Sequence, residues 1–259
     1  MISNMNFDYF FPTDIIENGK VNWQISTLSD YMFCPYLFYL KRMEKKDKQN
    51  VTNSYRYNSK HVEIGTFVHN LVDFIIRNNL YGISITTIKE MFVDYFISSN
   101  LDNRLIDIKQ TLISAATDIV LKLLEEYEVK QLQPVIIVDE NNKNYSLKLV
   151  PDIVTDKGII EIKTRSTTTP LQTLPYKNKV QVSLFTEYLG IETKVLLCDI
   201  NENSYNISFV DIDPISQIRK KVEYSTIGIL NQNYEPINNL FSDRCLRCYY
   251  RNSCDKKSV

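Results

Sequence analysis

The segment that most constrains this chain is Tyr145–Lys163, an apolar stretch with one tight turn inside it. Tyr145–Val154 and Ile159–Lys163 read as strands, and Asp156-Lys157-Gly158 supplies the turn between them. A two-residue hairpin around Asp156-Lys157 sets the register. Thr155 then faces Gly158, Val154 faces Ile159, and Asp152 faces Glu161. Directly opposed residues share a face with Cβ atoms about 4.5–5.5 Å apart, so the two carboxylates are forced together. Lys163 lies two residues past Glu161 and points the same way. A slip of one residue at Gly158 would break this face apart.

Opposed like charges destabilise a hairpin, and a divalent cation between them removes the penalty. Two carboxylates holding Mg²⁺ or Mn²⁺ beside an ammonium suit phosphodiester hydrolysis. The ion activates water and polarises the phosphate, and Lys163 orients the water or neutralises developing charge. A solvated strand face with alternating charges gives the same local pattern.

The surrounding pattern places this hairpin in an α/β chain. Residues 1–25 read as an irregular N-terminal arm. A helix starts at Ser26 and is interrupted at Cys34-Pro35, because proline disfavours helical backbone in the residue before it. Tyr36–Met43 continues as a short helix, and residues 44–60 read as a charged loop. Residues 61–79 form a strongly periodic helix, Thr87 and Glu90 make a capping box for the next, and 103–130 read as a long helix. After Pro134 the pattern turns to strands: Val135–Val138, the hairpin, Val195–Ile200 and Ile207–Ile212. A helix at Lys177–Leu189 lies between the hairpin and the last two strands. Asp213-Pro214 opens a final helix. The regions are thus an arm (1–25), a helical region carrying Cys34 and His69 (26–133), an α/β core (134–230) and a cysteine-bearing tail (231–259).

His69 stands in Gly65-Thr66-Phe67-Val68-His69, at the edge of the apolar stripe of the 61–79 helix. It reads either as a packed core residue or as an imidazole ligand beside carboxylates. Gln181 leads a helix face that continues through Phe185 and Tyr188, and it can orient Lys163 or contact a phosphate.

Formal net charge is −1 over 259 residues, so DNA contact would need a local basic surface. Lys177, Lys179 and Arg247, with Tyr188 as a stacking ring, are candidates, as are Lys41 and Arg42. No run reaches the roughly 18–20 apolar residues of a membrane span. Met1–Pro12 has neither a basic nor an apolar leader region. The expectation is a soluble cytoplasmic protein whose thiols stay reduced.

Cys245, Cys248 and Cys254 form C-x2-C-x5-C, and a tetrahedral thiolate site needs one more ligand. Cys34 is the candidate, while Cys198, in an apolar run, reads as a small buried hydrophobe. The spacing admits zinc and an iron–sulfur cluster alike.

One ordered set combines these signals. It runs Ser26-x-Leu28-x-x-Tyr31-x-x-Cys34-Pro35-x-x-Phe38-Tyr39, Gly65…His69, Pro151-Asp152, Glu161-Ile162-Lys163, Gln181…Phe185 and Cys245-x2-Cys248-x5-Cys254. The set resembles RecB-like PD-(D/E)XK nucleases with an iron–sulfur staple, among them the CRISPR-associated RecB-like exonucleases (the fourth Cas family) and the AddB nuclease domain. The resemblance implies a restriction-endonuclease-like core, a mixed sheet flanked by helices, with an N-terminal helical addition. It implies Mn²⁺ or Mg²⁺ on His69, Asp152, Glu161 and the Ile162 carbonyl, with Lys163 and Gln181 completing the catalytic set. It also implies a [4Fe-4S] cluster on Cys34, Cys245, Cys248 and Cys254. The activity implied is exonucleolytic cleavage of DNA at single-stranded ends, in CRISPR adaptation or in viral or host recombination and repair, alongside the proteins of those systems. Phe185 stands where the family usually has tyrosine. The competing readings are an iron–sulfur DNA-binding or assembly subunit with little catalysis, and a zinc-stapled scaffold.

Overall fold

The computed structural model describes residues 15–50, 60–84, 86–88, 90–91, 108–140, 142–165, 175–201, 203–235 and Cys245. The strands are β1 (Ile16–Glu17), β2 (Lys20–Gln24), β3 (Val129–Leu132), β4 (Ile136–Asp139), β5 (Tyr145–Leu149), β6 (Ile153–Thr155), β7 (Ile159–Arg165), β8 (Thr193–Ile200) and β9 (Tyr205–Val210). The long helices are α1 (Ile25–Phe33), α2 (Pro35–Asn50), α3 (Lys60–Arg77), α4 (Lys109–Glu126), α5 (Tyr176–Leu189) and α6 (Ile218–Leu230).

Two sheets form, in the orders β1-β2-β5-β4 and β3-β6-β7-β8-β9. Each mixes parallel and antiparallel pairs: β2 runs parallel to β5, and β7 parallel to β8. Helix α5 makes the crossover that a parallel β7–β8 pair requires. Strand β7 is buried on both faces. Ile160 and Ile162 pack with α3 and α4, and Ile159 packs on the other side with Val180, Leu184 and Phe185 of α5. This mixed α/β architecture, with sheets flanked by helices, is the one expected from the sequence.

The hairpin has the anticipated register. Val154 pairs with Ile159 and Ile153 with Ile160, while the Thr155 N–H donates to the Gly158 carbonyl at 2.8 Å. Gly158 is required there, because a Cβ would lie 2.5 Å from the Glu192 carbonyl oxygen.

Several elements differ from the sequence expectation. Tyr145–Val154 is two strands in two sheets, with Val150-Pro151-Asp152 crossing between them. Pro151 has no N–H to give a ladder, so the switch falls there. Residues 20–24, expected in an irregular arm, form β2 at the interior of the first sheet, with Asn18-Gly19 turning at positive φ. Trp23 of this strand is fully buried and donates its Nε1–H to Thr226 Oγ1 at 2.9 Å. Helix α1 starts at Ile25, capped by Gln24 and Thr27 rather than by Ser26. Helix α2 runs to Asn50, through part of the expected loop. At the next helix Ser84, not Thr87, is the cap: its hydroxyl accepts the Thr87 N–H at 3.2 Å. The expected 103–130 helix ends at Glu126, and Val129–Leu132 is instead edge strand β3. The last helix starts at Ile218 rather than at Asp213-Pro214.

Helices α1 and α6 meet at one tight contact. The Tyr31 hydroxyl donates to the Asn233 carbonyl at 2.6 Å, and a Cβ on Gly228 would lie 2.2 Å from that hydroxyl oxygen. Gly228→Ala is expected to destabilise the protein by about 1–3 kcal/mol, as overpacked cores do. The shift should appear in the denaturant midpoint, and Tyr31→Phe in the same chain should recover part of it.

Candidate active site

Four elements deliver the site. Strand β7 presents Glu161 and Lys163, the crossing after β5 presents Asp152, α5 presents Gln181 and α3 presents His69. Helix α3 reaches the strand because Gly65 lies against it: a Cβ there would stand 2.9 Å from Thr164 Oγ1. His69 follows one turn later.

Glu161 is wholly buried, and each of its oxygens has a partner. Oε1 accepts the Asp152 N–H at 3.0 Å, while Oε2 accepts Lys163 Nζ at 2.7 Å and Gln181 Nε2 at 2.6 Å. Asp152 Oδ2 accepts the Ile162 N–H at 2.9 Å and lies 3.5 Å from Lys163 Nζ. Its Oδ1 lies 3.5 Å from His69 Nδ1. The Asp152 carbonyl accepts the Gln133 N–H at 3.0 Å, which ties it to the end of β3. All five side chains singled out from sequence therefore meet at one place.

The two carboxyls titrate apart. Burial raises the pKa of Glu161, the negative charge of Asp152 raises it further, and Lys163 only partly offsets both. Burial also acts to raise Asp152, but the hydrogen bond from His69, the charges of Lys163 and His69, and the Ile162 N–H together hold it well below the ordinary range. Burial opposes the charge on Lys163, yet Glu161 and Asp152 keep its pKa above the usual lysine value. Lys163 thus stays an ammonium.

With these side-chain positions, no three His, Cys, Asp or Glu groups among the described residues stand in ready ligating array. The donor chemistry nonetheless fits a hard divalent cation: two carboxylates and an imidazole around a buried charge that lacks full compensation.

A model of the PD-(D/E)XK nuclease superfamily matches residues 22–255. The chain belongs to that superfamily. Nuclease chemistry, with nucleic acid as substrate, follows from membership. No curated protein matches the sequence. Among solved structures, a candidate exonuclease from Eubacterium rectale is 14% identical, covering 98% of this chain and 96% of its own, at a TM-score of 0.49. A protein named SSO0001 is also 14% identical, covering 83% of this chain and 95% of its own, at a TM-score of 0.35. At these scores neither structure bears on the assignment.

The remaining sequence candidates scatter. Lys177 is exposed one turn before Gln181 on α5, so it borders the site, and Lys179 is half-buried on the same helix. Tyr188 lies apart from the site: its hydroxyl meets that of Tyr145 at 3.0 Å, and Arg219 covers its ring at 4.5 Å. Phe185 is fully buried in the core, so it serves packing. Lys41 pairs with Asp30 at 2.7 Å, and Arg42 lies over the Phe38 ring at 4.8 Å. Arg247, Cys248 and Cys254 lie outside the described residues, while Cys34 and Cys245 are half-buried. No helix among the described residues is long and apolar enough to cross a membrane. Sequence reasoning passed over Arg165 and Asp199, which form a double hydrogen bond at the end of β7, although strand alternation from Lys163 points to Arg165.

Cys198 is fully buried and its thiol is pushed up to about 12, by burial first and then by Asp199 and Asp118. It should resist alkylation in the folded protein at pH about 8 and react only after denaturation, because the thiolate is the reactive form. Mass mapping of the modified peptides checks this.

Proposed function

We propose that this protein is a metal-dependent DNA exonuclease acting at single-stranded ends. The observation that carries the reading is the convergence of His69, Asp152, Glu161, Lys163 and Gln181. In this reading His69, Asp152, Glu161 and the Ile162 carbonyl hold Mn²⁺ or Mg²⁺. Such an ion lowers the pKa of a bound water and polarises a phosphoryl oxygen.

The chain's own groups do the rest. Gln181 fixes the Glu161 carboxylate from α5, so its oxygens keep their direction. Lys163 holds its proton and offsets negative charge that builds on the phosphate during attack. The Ile162 N–H holds Asp152 in place, so the two carboxyls cannot drift apart. Lys177, exposed one turn from Gln181, gives the incoming strand a backbone contact.

The preference for single-stranded ends and the [4Fe-4S] cluster on Cys34, Cys245, Cys248 and Cys254 rest on the resemblance of the ordered motif set. The packing of α1 is compatible with a staple beside the core, since Phe33, next to Cys34, meets Tyr176 of α5 with ring centroids 6.1 Å apart. The corresponding role is the trimming of DNA ends in CRISPR adaptation or in viral or host recombination. Genes for integrase-like proteins beside this one would favour the first, and phage replication genes the second.

Purified protein should degrade labelled single-stranded DNA with Mn²⁺ and stop on adding EDTA. Lys163→Ala is expected to lose about 10²–10³-fold in rate, as for a lost transition-state donor. Gln181→Ala, which unfixes a ligand, should lose about 10–100-fold. Equal cleavage by wild type and Glu161→Ala would refute the site, and tight binding without cutting would make the protein a DNA-binding subunit. Separately, anaerobically purified protein should be brown and bleach on reduction. A colourless protein with stoichiometric zinc would replace the cluster by a zinc site.

A further inference from the structure

Strand β7 carries a third polar side chain on the face of Glu161 and Lys163. Arg165 lies two residues past Lys163, so strand alternation puts it on the same side, about 6.6 Å further along. That step is comparable with the spacing of successive phosphates in a nucleic-acid strand. Arg165 Nη2 donates to Asp199 Oδ2 at 2.7 Å, and its Nε donates to Asp199 Oδ1. Asp199 stands opposite Arg165 in the parallel register of β7 and β8. The two side chains are 15% and 26% exposed, so solvent reaches both. They sit at the carboxyl ends of two parallel strands, where open α/β sheets bind their ligands.

Charge decides what this pair is for. Lys163 is held by both Glu161 and Asp152, and His69 lies on the other oxygen of Asp152. Lys163 therefore serves the phosphate at the centre, and a strand running on past it needs a cation further along β7. The next positive side chain on the strand is Arg165. A guanidinium presents a planar fork that matches phosphate, and a carboxylate on one edge fixes its plane in advance. The alternative task, joining the two strands, is already met: β7 and β8 pair continuously from Ile159↔Thr193 to Arg165↔Asp199. The double hydrogen bond can add to that ladder, and it leaves the guanidinium held in one plane at the open end of the strand.

We infer that Arg165, oriented by Asp199, binds the DNA phosphate adjacent to the one that is cut. The inference rests on the nuclease reading and adds to it a residue that sets the register of the substrate. Arg165 touches substrate without touching the reacting atoms, so its loss falls on KM rather than on kcat.

Salt dependence tests this directly. Binding of a labelled single-stranded oligonucleotide is followed by anisotropy over a salt series, for wild type, Arg165→Gln, Arg165→Lys and Asp199→Asn. One lost phosphate contact makes the slope of log K against log salt shallower by about 0.7. Arg165→Gln should show that change, with KM raised several-fold and kcat kept. Asp199→Asn keeps the cation and should keep the wild-type slope. Arg165→Lys keeps the charge without the fork, so it should retain the slope and bind more weakly. Should Arg165→Gln fail to fold, wild type is tested on oligonucleotides carrying one neutral methylphosphonate linkage at successive positions. KM should rise when that linkage neighbours the cut site, and indifference to its position overturns the inference. A wild type that cuts DNA while folded Arg165→Gln keeps both slope and KM overturns it too and leaves the nuclease reading standing. A wild type that neither binds nor cuts DNA overturns both.

Discussion

The structure depends on one buried carboxylate. Glu161 is wholly excluded from solvent on a strand whose neighbours are isoleucines. A lone charge there would be intolerable, so the fold must bring partners to it. Three come from three elements: the Asp152 N–H from the sheet crossing, Lys163 from the same strand and Gln181 from the crossover helix. The contacts from the crossing and from the helix also fix where those elements stand relative to β7. The requirement of the chemistry and the requirement of burial are thus met by the same bonds. This explains how a centre made of polar groups sits between two apolar clusters without loosening either.

Much of this was legible in the sequence where one local rule governed. The hairpin register followed from a two-residue turn and strand alternation, and it set Asp152 beside Glu161 without any knowledge of the rest. The break at Cys34 followed from Pro35, and Cys34 is indeed extended. The inward edge position of His69 followed from helical period. Gly65 gave a further hint, because a glycine one turn before a polar residue allows a helix to lie against a strand.

What escaped was decided by distant partners. Lys20–Gln24 did carry a local sign, an Asn18-Gly19 turn followed by alternating Val21 and Trp23, but its parallel partner β5 lies far along the chain. Val129–Leu132 sits at the end of a helical pattern yet pairs with β6, so tertiary contact overrode propensity. Tyr145–Leu149 and Ile153–Thr155 look like one strand, since both halves alternate correctly. Pro151 marks a weak point in that run, and the second sheet shows that the chain crosses there. Tyr188 illustrates the same limit at the level of a side chain: helical spacing put it near Gln181, but Tyr145 and Arg219 claim it.

The parallel pairing of β2 with β5 carries a kinetic consequence. Asn22 and Ser146, neighbours across that pair, stand 124 positions apart in the chain. During synthesis the first strand leaves the ribosome long before its partner exists, and Trp23 must wait for Thr226, further on still. Until then its apolar face has nowhere to go. Closing so long a loop costs entropy before any contact repays it, which slows assembly and lengthens the exposure of sticky intermediates. The nascent protein should therefore lean on chaperones more than its size alone suggests.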